Sequence, residues 1–251
     1  SSILNQTYPV DEVIVVDNLS TDNTINLIKK NFDNIKVLVE RQKGVSYARN
    51  LGIAKAKNDW IAFLDSDDEW MKDKIKKQVE FIIESGFTEQ VVHTNEVWFY
   101  NDQHLNQKKK HLKKGGSIFL DCLNFCKISP SSVLLKKELF KKYGYFNTKF
   151  KVCEDYELWL RLSSSISIGY ISEVLLKKNG GHNDQLSKKF WGIDRYRVKA
   201  LEKIILKNDL NYQYKLEALK VLIKKINIIL FGAIKRNNRK ILKMYLCKKF
   251  L

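Results

Sequence analysis

Apolar and polar positions along the first hundred residues follow the rhythm of strands joined by helices. Glu12-Val13-Ile14-Val15-Val16 is a β-branched run that stops at Asp17 and reads as a buried parallel strand. A polar turn over 18–24 leads to a helix over Ile25–Phe32, then a second strand over Asn34–Glu40. Gly44 opens a loop before a helix over Ser46–Ala56, and Ile61–Leu64 reads as a short third strand. A helix from about Lys72 to Glu84 completes three strand–helix repeats, the pattern of right-handed βαβ units. A longer strand follows over Gln90–Tyr100, then a polar, lysine-rich loop or hairpin tip over Asn101–Lys114. Ile128–Leu135 is short and apolar, Glu154–Leu162 a helix and Ile166–Ile171 a strand. From Phe190 the pattern is helical almost to the end, with more apolar positions between Leu216 and Leu230 than one packed face requires. The expected class is α/β: a mixed sheet flanked by helices over 1–197, with a basic helical extension over 198–251.

Composition sharpens this picture in three places. With 251 residues, 44% of them hydrophobic, the chain can bury a substantial core, and its two prolines argue against long disordered linkers. The four cysteines lack a CxxC spacing and read as reduced thiols of a cytoplasmic protein. No secretory leader is expected, and no uninterrupted apolar run is long enough to span a bilayer. The formal charge is +17, of which +10 falls on residues 201–251. That imbalance points to an anionic partner surface, a membrane face or lipid-linked phosphate. No nucleic-acid-binding motif accompanies the charge, which sets nucleic acid aside.

The candidate chemistry starts where the third strand ends, in Asp65-Ser66-Asp67-Asp68. On an extended backbone Asp65 and Asp67 project to one side. Two hard oxygen donors at the carboxyl edge of a strand suit a divalent cation that also holds phosphates, and ligands bind at that edge of open α/β sheets. The plainer account has Asp67 or Asp68 capping the next helix. Asp17, in a turn-like setting, reads as a capping residue. Lys43 and Arg49, flanking Gly44, read as surface charges or members of a structural ion pair. Glu154-Asp155 heads a helix, where acids are favoured in any case.

Four stretches together resemble the family 2 glycosyltransferases of the GT-A fold: 1–24, 43–70, 144–162 and 180–197. The resemblance implies a bacterial cell-surface glycan enzyme that inverts the anomeric centre of a nucleoside-diphosphate sugar, with UDP-sugars the commonest donors. It assigns Asp17, Lys43, Arg49 and Asp65 to the donor. Asp67, with His182, goes to a Mn²⁺ or Mg²⁺ ion, and Asp155 becomes the base, its basicity raised by Glu154. Asp184, Gln185 and Ser187 are further candidates for donor or acceptor contacts, and Arg195 and Arg197 read as phosphate contacts or as the solvated face of a helix. The implied acceptor is a glycan or lipid-linked hydroxyl at the inner face of the cytoplasmic membrane.

Two departures stand out. Asn18 replaces a second acid common in the family, which bears on base selectivity. The chain also begins inside the helix that usually follows the family's first strand, so that strand is expected to be absent and its neighbours to carry unpaired backbone groups. These departures motivate an alternative, a non-catalytic nucleotide-binding or scaffold module of the same fold.

Overall fold

The computed structural model describes residues 1–181, 190–207 and 209–249. Strand β1 (Ile14–Asp17), helix α1 (Thr24–Asn31) and strand β2 (Lys36–Val39) form a βαβ unit. Its strands pair in parallel, Ile14 opposite Lys36 and Asp17 opposite Val39. Helix α2 (Val45–Lys55) folds back over it. The approach is close at Gly52, where a Cβ would lie 3.5 Å from the Val16 side chain.

Next come β3 (Trp60–Ala62), β4 (Glu69–Trp70), α3 (Lys74–Glu84), β5 (Val91–Tyr100) and β6 (Gln103–Leu105). They are followed by α4 (Phe119–Asn124), β7 (Val133–Lys136), α5 (Glu138–Tyr143), α6 (Glu154–Ser163) and β8 (Gly169–Gly180). The last helices are α7 (Asp194–Ile205), α8 (Tyr212–Lys235) and α9 (Arg239–Lys249).

The second sheet has the order β3-β7-β5-β8-β4, with β6 paired to the far end of β5. It is mixed: β5 and β8 run parallel, while β3–β7, β5–β7 and β4–β8 are antiparallel. This corrects the expectation of three successive βαβ units in one sheet. β3 gives its ladder to β7, and among the described residues β1 bonds only β2. A two-stranded sheet covers its members poorly, so Ile14, Val15 and Val16 are half-buried rather than buried.

The core lies between the second sheet and α4, α6 and α7. Ile53, Ile61, Val91, Phe119, Leu135, Phe140, Trp159 and Leu201 belong to one continuous cluster. Each such side chain contributes roughly 1.5–3 kcal/mol by leaving water. Helix α6 is buried on nearly every side, its charged residues included, and its buried Glu157 is matched by Arg161 at 2.8 Å and Lys203 at 2.5 Å. Leu158 and Trp159, both fully buried, anchor this helix. Ala218 of α8 joins the same cluster, and α8 with α9 builds a smaller one around Ile226, Ile229, Leu230 and Tyr245. All four cysteines are free thiols.

Candidate active site

Asp17 is the last residue of β1 and is buried, its two carboxylate oxygens each accepting from the Ser20 N–H at 3.3 Å. Asn18 beside it ties this turn to the loop between β2 and α2. Its amide donates to the Glu40 and Gln42 carbonyls, both at 2.9 Å, and its Oδ1 accepts from the Gly44 N–H at 2.7 Å. A carboxylate at 18 could not donate either of the first two bonds, which gives the asparagine a structural reason. Leu19 then adopts φ 64°, a left-handed conformation that non-glycine residues rarely take. Lys43 lies exposed on the same loop rim.

The centre of the site is Arg49 on α2. One end of its guanidinium donates to Asp65 Oδ1 at 2.6 Å and the other to Glu154 Oε1 at 2.7 Å, and the group sits 5.2 Å from the centre of the Phe146 ring. Arg49 therefore joins the end of β3 to the head of α6. Of the readings the sequence offers, the structure has it in a structural ion pair and not free at the surface. Burial disfavours its charge, but Asp65 and Glu154 outweigh burial and hold it protonated above its ordinary range. Burial likewise opposes ionisation of Asp65, yet Arg49 and then Lys178 keep its carboxyl below the usual range.

The acidic turn is supported from segments the sequence left unassigned. The Asp65 N–H donates to Ser131 Oγ at 3.0 Å, and Trp70 Nε1 donates to the Ser131 carbonyl at 2.8 Å. From β8, Lys178 pairs with Asp68 at 3.0 Å and Asn179 donates to the Asp67 carbonyl at 2.8 Å. The helix-capping account of Asp67 and Asp68 is not borne out. Asp73 holds the N-cap position of α3, and Asp68 is turned inward onto Lys178. Asp67 is exposed, and among the described residues its carboxylate has no hydrogen-bond or ion-pair partner.

Asp155 stands in the first turn of α6, just after Cys153, which takes φ 61° to turn the chain into the helix. Its Oδ1 accepts its neighbour's N–H, from Tyr156, at 2.7 Å, and its Oδ2 accepts from Cys126 Sγ at 3.4 Å. No cation pairs with it among the described residues. The adjacent carboxylate registers the crowding: burial and Asp155 push Glu154 up to about 7 against the pull of Arg49.

Beside Asp155 lies a cavity of about 200 Å³, whose walls include Glu96, Trp98, Lys113, Cys126, Lys178 and Arg197. Arg197 pairs with Asp194 at 2.9 Å, whereas Arg195 donates to the Trp191 carbonyl at 2.7 Å and stacks on that ring. His182, Asp184, Gln185 and Ser187 lie outside the described residues. Among the described residues no group of three His, Cys, Asp or Glu could enclose a metal ion. Asp67 nevertheless fits a cation that takes most of its ligands from water and phosphate, as Mg²⁺ does, because its oxygens are uncommitted.

A model of the family described as glycosyl transferase family 2 matches residues 1–144. An uncharacterised glycosyltransferase of Rickettsia conorii is 33% identical over 193 residues, which is 72% of this chain and 30% of that protein. The chain thus spans less than a third of that relative's length. The Escherichia coli protein WfaP, named as a UDP-Glc:α-D-GlcNAc-diphosphoundecaprenol β-1,3-glucosyltransferase, is 33% identical over 172 residues, 65% of this chain and 62% of its own. Among solved structures, residues 1–349 of TarS from S. aureus superpose with a TM-score of 0.71 at 20% identity, covering 99% of this chain and 72% of that one. The same TarS fragment with UDP-GlcNAc gives 0.69 at 22% identity, covering 90% and 66%. At these identities the likeness to TarS is one of fold.

Proposed function

Since the chain belongs to glycosyl transferase family 2 and has the GT-A fold, we propose that it transfers a sugar from a nucleoside-diphosphate donor, a UDP-sugar, to an acceptor hydroxyl with inversion. One observation carries this reading. The Arg49 bridge fixes the Asp155-bearing helix against the strand end that carries Asp65 and Asp67, while among the described residues no cation pairs with Asp155. A half-buried carboxylate without a paired cation, one side chain away from a cavity, is suited to accept a proton.

In this mechanism Asp155 takes the proton of the acceptor hydroxyl as that oxygen attacks the anomeric carbon. The bond from that carbon to the diphosphate breaks on the opposite side, and the nucleoside diphosphate leaves with the electron pair. Asp17, at the end of β1, faces the nucleoside. Asp65 is held ionised by Arg49 and keeps the strand end anionic toward ribose or metal. Asp67 would hold Mn²⁺ or Mg²⁺, which when bound neutralises the departing diphosphate. Chelating the metal, or Asp67→Ala, is expected to lower UDP-sugar turnover by about two orders of magnitude or more. Turnover that persists unchanged in EDTA would remove the metal from the account.

The acceptor proposed is a cell-surface glycan or its lipid-linked precursor, which the name of WfaP supports for that relative. The surface of α8 fits work at the inner face of the cytoplasmic membrane. Leu216, Ile223, Phe231 and Ile234 are exposed along one side of it, with Lys220, Lys224 and Lys235 beside them. Such a face suits shallow contact with anionic lipid. No helix among the described residues is long and apolar enough to cross a membrane.

A further inference from the structure

The cavity beside Asp155 has a charge balance that a neutral hydroxyl acceptor does not call for. Of its lining cations, Lys113 is matched by Glu96 at 2.6 Å and Lys178 by Asp68 at 3.0 Å. The others are not matched one to one. Arg197 shares a single carboxylate, Asp194, with Lys225, at 2.9 and 3.1 Å. Lys127 ends on two backbone carbonyls, those of Lys110 and Leu112, at 2.7 and 2.9 Å. Among the described residues no carboxylate pairs with it, and the unpaired carboxylate of Asp155 behind Cys126 offsets only part of the surplus. The Nε of Arg197 is buried with no hydrogen-bond partner among the described residues. The surplus registers on His111 in the same wall: burial, followed by Lys110, Lys127, Lys108 and Arg197, holds its imidazole below the ordinary range.

The position of the cavity says which substrate would meet this surplus. Its wall includes Cys126, whose Sγ touches the Asp155 carboxylate, and it includes none of Asp17, Asp65 or Asp67. Cys126 sets one side of the cavity against the base, and Lys178, paired with Asp68, sets another against the acidic turn, so a group seated there lies between the two. Apolar rings in the same wall, Trp98 and Phe125, lower the local dielectric and strengthen any ionic contact made there. Its 200 Å³ is below the range of about 300–1,000 Å³ usual for drug-sized ligands, so it suits one charged group and not a run of sugars.

We propose that this cavity seats a phosphoryl group carried by the acceptor, so that the sugar is delivered to a hydroxyl close to a phosphate. The inference rests on the transferase reading, with Asp155 as its base. The lysine-rich segment 108–114 then acts as a collar for an anionic acceptor, with Lys127 holding it by its carbonyls. Guanidinium and ammonium groups bind phosphoryl oxygens through charge-assisted hydrogen bonds, and arginine does so in a fixed geometry.

The test is ligand-observed NMR titration of the whole chain, saturated with UDP and Mg²⁺, with glycerol 3-phosphate and with glycerol as its neutral twin. The phosphate is expected to bind at least about tenfold more tightly than glycerol and to leave UDP in place. Lys127→Gln combined with Arg197→Gln is expected to remove that preference while UDP binding persists. Equal binding of the two probes overturns the proposal without any variant having to fold. Displacement of glycerol 3-phosphate by UDP also overturns it and makes the cavity the seat of the donor diphosphate. An unchanged preference in the double variant overturns it as well. If UDP itself fails to bind the wild-type chain, the transferase reading falls and takes this inference with it. If UDP binds but the phosphate preference is missing, this inference alone fails.

Discussion

A guanidinium that satisfies two carboxylates from two different segments is hard to replace, because no other side chain offers a rigid fork of that span. Arg49 does this for Asp65 and Glu154, and only about a tenth of its side chain is exposed. Arg49→Lys keeps the charge but reaches one partner at a time. It is expected to cost about 1–3 kcal/mol of stability, since a buried carboxylate is left without its bond. A denaturation midpoint equal to wild type would show that the bridge does not hold the site together. At this scale the sequence was legible in its residue types and less so in their partners. The acids at 17, 65, 67, 154 and 155 stand out in any reading of the chain. That Arg49 would turn inward between two of them depends on β3 and α6 meeting in space, a relation no spacing expresses. Ser131, Lys178 and Asn179 support the acidic turn from 66, 110 and 112 positions away and carry no local signal.

At the level of elements, long periodic segments declared themselves and short or interrupted ones did not. Helices α3 and α6 and strand β5 lie within a residue or two of their expected bounds. Helices α4 and α5 span six residues each, with no side-chain cap, too short for a period to show. Strand β8 was expected to stop at Ile171 but runs to Gly180, because Ser172, Glu173, Lys177 and Lys178 break its apolar pattern. That missed half is the part that grips the acidic turn.

Strand β5 also carries a pH-sensitive group. His93 is fully buried, and its Nε2–H donates to the Lys114 carbonyl at 2.8 Å. Burial, then the charge of Lys113, pushes it from 6.5 down to about 3. A base whose folded value is depressed contributes its full stability above the unfolded value and loses it as pH falls toward the folded one. Stability is therefore expected to decline between about pH 6.5 and 3, as protons bind the unfolded imidazole first. His93→Gln can still donate to the Lys114 carbonyl and should flatten that part of the profile. Equal slopes for the two proteins in chemical denaturation would mean that His93 titrates freely.

For the molecule as a whole, charge and apolar exposure coincide on the C-terminal helices. Sedimentation with anionic vesicles is expected for the wild-type chain, with little on neutral ones and release at high salt. Changing Lys220, Lys224 and Lys235 together to Gln should weaken it by about two orders of magnitude, at roughly 1 kcal/mol per lysine. Sedimentation indifferent to lipid charge would end the membrane proposal. The catalytic proposal is also a whole-molecule statement, because it needs the donor-facing strand ends of the first seventy residues to meet a base delivered by α6. Its most direct test is single-turnover transfer from a panel of UDP-sugars by the wild-type chain and by Asp155→Asn, with UDP binding measured on both. The account predicts that the variant binds UDP as the wild type does and transfers about 10²–10⁴-fold more slowly. Transfer at the wild-type rate by Asp155→Asn would contradict it.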